Sequence, residues 1–173
     1  MTIKYTEFTP WPERSTADPR RATQAQFMHG MCEILASEGP LQALPLFQAY
    51  AKAAGLLKIA STPRKLFERA LLAGEKNGEV IIEREDDPET NGLEDSVCWV
   101  TRLPTQQRVI VRDLGTRGFA DIPMSELEVV IGQIKAANKK IQRDDIYRAV
   151  LDHYGLLKVT ALVKRRLNKV LEG

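Results

Sequence analysis

Gly55-Leu56-Leu57-Lys58 recurs as Gly155-Leu156-Leu157-Lys158, 100 residues further along a chain of 173. Laying residues 27–71 over 127–171 without a gap gives nine identities: Ile34/Ile134, Ala36/Ala136, Gln42/Gln142, Ala49/Ala149, the four-residue block and Leu71/Leu171. Other pairs are alike in kind, among them Phe27/Leu127, Leu41/Ile141, Leu46/Ile146, Phe47/Tyr147, Ile59/Val159 and Phe67/Leu167. A fixed internal period marks a repeated structural unit. Two copies are too few for a solenoid, so the chain reads as a duplicated small module.

Working outward from the first block, the pattern predicts three helices. Thr23 and Gln26 form a capping box ahead of Phe27, Met31, Ile34 and Leu35, which fall at helical spacing. Glu38-Gly39-Pro40 ends that helix, with Gly39 expected as a left-handed cap and Pro40 blocking continuation. A second helix carries Leu46, Phe47, Tyr50 and Ala54 and stops at Gly55. Thr62-Pro63 opens the third, Thr62 as N-cap and Pro63 in the first helical position, with an apolar stripe of Leu66, Phe67, Ala70 and Leu71. After Gly74 the period shortens to that of strands. Residues 79–83 and 96–100 predict a hairpin around an acidic loop of Glu85, Asp86, Asp87, Glu89, Glu94 and Asp95. Residues 108–112 predict a third strand after Pro104.

The second copy opens near Pro123, with Ser125 and Glu128 as another capping box. Its helices carry Leu127, Val130, Ile131 and Ile134, then Ile146, Tyr147, Val150 and Leu151, then Val163, Leu167, Val170 and Leu171. No strand pattern follows them. Three helices and a hairpin are the order of a winged helix, and Gly55 and Gly155 stand where a helix–turn–helix makes its turn. The expected fold is therefore mainly α with a small β element: two tandem helix–turn–helix units, the first winged and the second wingless. The division is an irregular arm at 1–22, pinned by Tyr5, Phe8 and Trp11, a winged unit at 23–103, a strand and linker at 104–122, and a wingless three-helix unit at 123–173.

Composition removes several function classes. A hydrophobic fraction of 43% with 28% charged residues suits a soluble globular chain. No run of 18 apolar residues and no signal pattern occurs, so a cytoplasmic protein without membrane contact is expected. Cys32 and Cys98 read as structural thiols. His29 and His153 are the only histidines and do not correspond in the repeat. No zinc-ligand spacing and no nucleophile elbow occurs, the acidic loop lacks the alternating ligands of a calcium loop, and Glu83-Arg84-Glu85 lacks the Lys of a metal-dependent nuclease. We expect no catalytic residues, no metal and no cofactor.

Glu38-Gly39-Pro40, Gly55, Trp99, Val111-Arg112, Ile122-Pro123, Glu126-Leu127 and Gly155 together resemble a family of unknown function. It is the small domain near the C-terminus of large bacterial helicase-like proteins of superfamily one, often fused to a restriction-type nuclease. The resemblance covers roughly residues 24–171. It implies an accessory module on or near DNA-processing machinery. It carries no ATPase activity over, because Gly74-Glu75-Lys76-Asn77-Gly78 lacks the Gly-Lys-Ser/Thr of a phosphate-binding loop.

In a helix–turn–helix the second helix of the motif enters the major groove, and Lys and Arg supply phosphate contacts. The candidate DNA-binding residues are Lys58, Thr62, Arg64, Lys65 and Arg69 in the first copy. In the second they are Lys158, Thr160, Lys164, Arg165, Arg166 and Lys169. Four pairs match position by position: Lys58/Lys158, Arg64/Lys164, Lys65/Arg165 and Arg69/Lys169. All lie off the apolar stripe and are expected to face outward. The acidic hairpin would be repelled by phosphate, so it is expected to point away from DNA or to meet a basic partner. The expected function is non-catalytic duplex-DNA binding in DNA processing, defence or regulation. The alternative is a protein-interaction adaptor of a helicase or nuclease assembly, docking through the acidic hairpin, Trp11 or Trp99. Homodimerisation through the first helix of either copy stays open.

Overall fold

Thr23 begins the first helix as its spacing requires: Gln26 N–H donates to Thr23 Oγ1 at 3.2 Å and Thr23 N–H to Gln26 Oε1 at 2.9 Å. The computed structural model describes residues 2–173 apart from Ala60, Asn91 and Glu94, with Ser61 and Thr62 described by backbone alone. The helices are α1 (Gln24–Glu38), α2 (Ala43–Ala53), α3 (Ser61–Lys76), α4 (Met124–Ala137), α5 (Arg143–Tyr154) and α6 (Ala161–Glu172). The last three start 100 residues after the first three: Gln24 and Met124, Ala43 and Arg143, Ser61 and Ala161.

Buried apolar side chains fall into two clusters at matching positions. The first gathers Phe27, Met31, Ile34, Leu46, Phe47, Tyr50, Phe67 and Leu71. The second gathers Leu127, Ile131, Ile134, Ile146, Tyr147, Val150 and Leu167. The first is aromatic at its centre, with the rings of Phe27, Phe47, Tyr50 and Phe67 between 5.1 and 5.6 Å apart. The second is filled largely by branched aliphatics. Both α2 and α5 end in the same way. Gly55 (φ +83°) and Gly155 (φ +69°) take the left-handed conformation that favours glycine. Leu56 N–H then donates to Ala51 O at 2.9 Å, and Leu156 N–H to Leu151 O at 2.8 Å.

Three short strands, β1 (Leu41–Gln42), β2 (Ile81–Glu83) and β3 (Val100–Arg102), pair antiparallel in the order β1-β3-β2. Thr101 lies between Leu41 and Ile82, and its hydroxyl donates to Leu41 O at 3.0 Å. This corrects the expected sheet in two places. Residues 96–98 form a 3-10 turn, because the Asp95 carboxylate accepts from Val97 N–H and holds the chain off extended geometry. Residues 108–112 form no strand: Val111 O accepts from Thr6 N–H at 2.8 Å, so the N-terminal arm takes the place of a ladder partner.

Three boundary expectations are also corrected. Gly39 caps α1 with φ −74°, not in the left-handed region, and a cis peptide leads into Pro40. The third helix starts at Ser61, so Thr62 and Pro63 lie inside it, and it runs through Gly74 to Lys76. A Cβ on Gly74 would stand 2.6 Å from Met28 Cε, so Gly74 packs closely under the tip of the α1 methionine. In α4 the Ser125 side chain makes no cap, and Glu85 Oε2 accepts from Ser125 N–H at 3.1 Å in its place.

The arm reaches both clusters. Trp11 is buried in the first and Ile3 in the second, while Phe8 lies under the guanidinium groups of Arg112 and Arg117 at 5.0 and 5.2 Å. Tyr5 stays exposed but sets its ring edge-on to His153. Trp99 is buried, its Nε1–H donating to Leu93 O at 2.7 Å with Arg84 over the ring. Both cysteines are free, and burial pushes both thiols above their usual range, which makes them poor nucleophiles. No described helix is long and apolar enough to cross a membrane.

Candidate nucleic-acid interface

The α2–α3 and α5–α6 connections present Lys58 and Lys158 to solvent three residues after the left-handed glycines. Lys65 and Arg69 are exposed on α3, opposite the buried Phe67 and Leu71. Lys164 is exposed on α6. None of these five cations has a carboxylate within ion-pair distance among the described residues. The side chain of Thr62 lies outside the described residues. Thr160 is exposed and caps α6, its hydroxyl accepting from Val163 N–H at 3.3 Å.

The remaining candidates are paired. Arg64 sits 3.2 Å from Asp95 and 3.5 Å from Glu68. Arg165 makes a two-pronged contact with Glu89 at 2.8 and 3.2 Å, and Lys169 meets Asp86 at 2.8 Å. These hydrogen-bonded carboxylates raise the pKa of both cations. Of the four matched basic pairs, only Lys58/Lys158 is therefore exposed and without a carboxylate partner in both copies among the described residues.

Arg166 does not face outward, which corrects the expectation for it. Its side chain is 0% exposed and bonds Asp87 at 2.7 Å, Ile122 O at 2.6 Å and Phe119 O. The buried face of α6 is Val163, Arg166 and Leu167, a helical stripe that has a guanidinium in it. The repeat carried the signal: Arg166 corresponds to Leu66, which packs against the first cluster. Sequence reasoning also missed Asp87, which is 2% exposed and accepts as well from Gln42 Nε2 at 3.4 Å and Glu89 N–H at 2.9 Å.

The acidic loop lies on the basic helix of the second copy, so the basic groups that it meets belong to its own chain. Asp86, Asp87 and Glu89 meet Lys169, Arg166 and Arg165 in turn. Glu85 covers the N-terminus of α4, and burial lifts its pKa although the Ser125 hydrogen bond works the other way. Asp95 caps its own 3-10 turn and holds Arg64. The attraction of opposite charges at 2.7–2.8 Å brings the loop inward, and Glu94 lies outside the described residues.

A second polar node joins the two clusters. Arg112 donates to the carbonyls of Glu38, Gly39 and Pro40, while its own N–H donates to Glu126 Oε1 at 3.1 Å. Arg117 clasps Glu126 at 2.7 and 3.0 Å, and Tyr154 OH donates to the same carboxylate at 3.2 Å. Burial lowers the Arg112 pKa to about 10, which leaves it charged at neutral pH. Glu38, Gly39, Pro40, Arg112 and Glu126 thus meet at this junction between the two clusters. Among the described residues no group of three or more His, Cys, Asp or Glu side chains is placed to hold a metal ion. Comparison with protein-family models, with curated proteins and with solved structures finds no significant match to the chain.

Proposed function

We propose that the chain is a non-catalytic duplex-DNA-binding protein of two tandem helix–turn–helix units, the first winged by β2 and β3 and the second wingless. The observation that carries this reading is duplicated geometry. In both copies a left-handed glycine turns the chain onto a helix with exposed cations off its buried stripe. The contact surface comprises Lys58, Lys65 and Arg69 in the first unit and Lys158 and Lys164 in the second. Arg166 is left out because it is buried. DNA is favoured over an adaptor docking through the acidic loop because Glu85, Asp86, Asp87, Glu89 and Asp95 are all engaged within the chain. The setting that we infer is DNA processing, defence or regulation, the first of which the family resemblance implies.

Fluorescence anisotropy with a labelled duplex across a salt series tests this. Affinity should fall steeply with salt, with a log–log slope of about −0.9 for each phosphate neutralised. Lys65→Ala/Arg69→Ala and Lys164→Ala should each weaken binding and flatten that slope. Absence of binding at low salt would sink the reading.

A further inference from the structure

In each Gly-Leu-Leu-Lys turn the first two residues have a structural reason to match and the last two have none. Gly55 and Gly155 adopt positive φ. Leu56 and Leu156 pack against the edges of their respective clusters. Leu57 and Leu157 instead stand in solvent, 102% and 87% exposed, and Lys58 and Lys158 beside them are exposed, with no ion-pair partner among the described residues. An exposed apolar residue is ordinary when single. Here the same Leu-Lys pair stands out twice, in the longest run of identity between two copies that have changed at most buried positions. Packing does not account for that match, so we infer that binding does.

We propose that the two turns are paired contact points for duplex DNA, with Lys58 and Lys158 each on a phosphate and Leu57 and Leu157 against the apolar sugar and base edges of the adjoining groove. The proposal rests on the DNA-binding reading above and adds an apolar component to it. A partner that reads both copies must use what they share. In the second copy Arg148, at the position of Gln48, bonds the carbonyls of Leu156 and Leu157 at 2.8 and 3.1 Å, so the ground beside the two turns differs. What they share is one leucine next to one cation. That pairing suits DNA, whose phosphates attract the cation while apolar wedges such as leucine enter its groove. A protein partner would be expected to find a broader apolar patch.

The test compares wild type, Leu57→Ser/Leu157→Ser and Lys58→Ala/Lys158→Ala in duplex binding over a salt series, with elution volume and helix content recorded for each. Because all four side chains are exposed, the variants should keep wild-type helix content. The leucine variant should bind about tenfold more weakly, as loss of apolar burial requires, with an unchanged salt slope. The lysine variant should lower the slope by about 2, roughly one unit for each phosphate left without its cation. If wild type binds DNA and the leucine variant binds equally well, this inference falls and the DNA reading stands. A change of elution volume with unchanged DNA affinity would overturn it too, making the turns a self-association surface. If wild type binds no duplex, the DNA reading fails and takes this inference with it.

Discussion

Arg166 is the residue at which charge and position give opposite readings. Removing it would leave Asp87 buried without its cation and the carbonyls of Phe119 and Ile122 without a donor. Breaking such a buried pair costs about 3–5 kcal/mol. Arg166→Met should therefore lose most of the stability of a small domain in urea unfolding. Adding Asp87→Asn should restore part of it, because the uncompensated charge is gone. Recovery of nothing by the second change would mean that Asp87 is not the partner that matters. The helix–turn–helix reading counted Arg166 among the outward cations, whereas the repeat sets it at the position of Leu66 on the stripe. The period was legible there. The Asp87 that neutralises it was not, since a contact across 79 residues leaves no local pattern.

At the level of elements, the acidic loop and α6 form one electrostatic unit. Glu89 with Arg165 and Asp86 with Lys169 are surface pairs, which solvent screens strongly. Asp86→Asn/Glu89→Gln should accordingly change stability little while freeing two cations. If α6 faces DNA, this variant should bind a duplex more tightly than wild type and with a steeper salt slope. Unchanged binding would place DNA on α3 and the turns alone. The helices were readable because their spacing, caps and left-handed glycines act within a few residues. β1 was not, since two residues cannot display a period, and strand 108–112 was predicted from alternation without knowledge of the arm that covers it.

For the whole molecule, the two clusters are coupled through Arg112, whose guanidinium ties the α1–α2 connection to the neighbourhood of Glu126 on α4. Arg112→Met would strip three carbonyls of their donor, at a cost of about 1–3 kcal/mol for each group left buried and unsatisfied. Both tryptophans belong to the first cluster, so their fluorescence reports that half, whereas circular dichroism reports all the helices. In wild type the two signals should share one unfolding midpoint; in the variant they should separate. Coincident transitions in the variant would show that the junction does not depend on Arg112.

The arm sets an order of events. Lys4 N–H donates to Gln133 and Phe8 N–H to Asp113, contacts that span 129 and 105 residues. During synthesis these first residues emerge long before the surface they dock on has been made. The three-helix group of α1–α3 can close while Ile3 still lacks a seat, and the arm must remain undocked until the second group has formed. Its docking is then a late event, one that certifies both halves as folded. Whatever grips residues 2–8 in the interval, a chaperone or a neighbouring chain, competes with the chain's own completion.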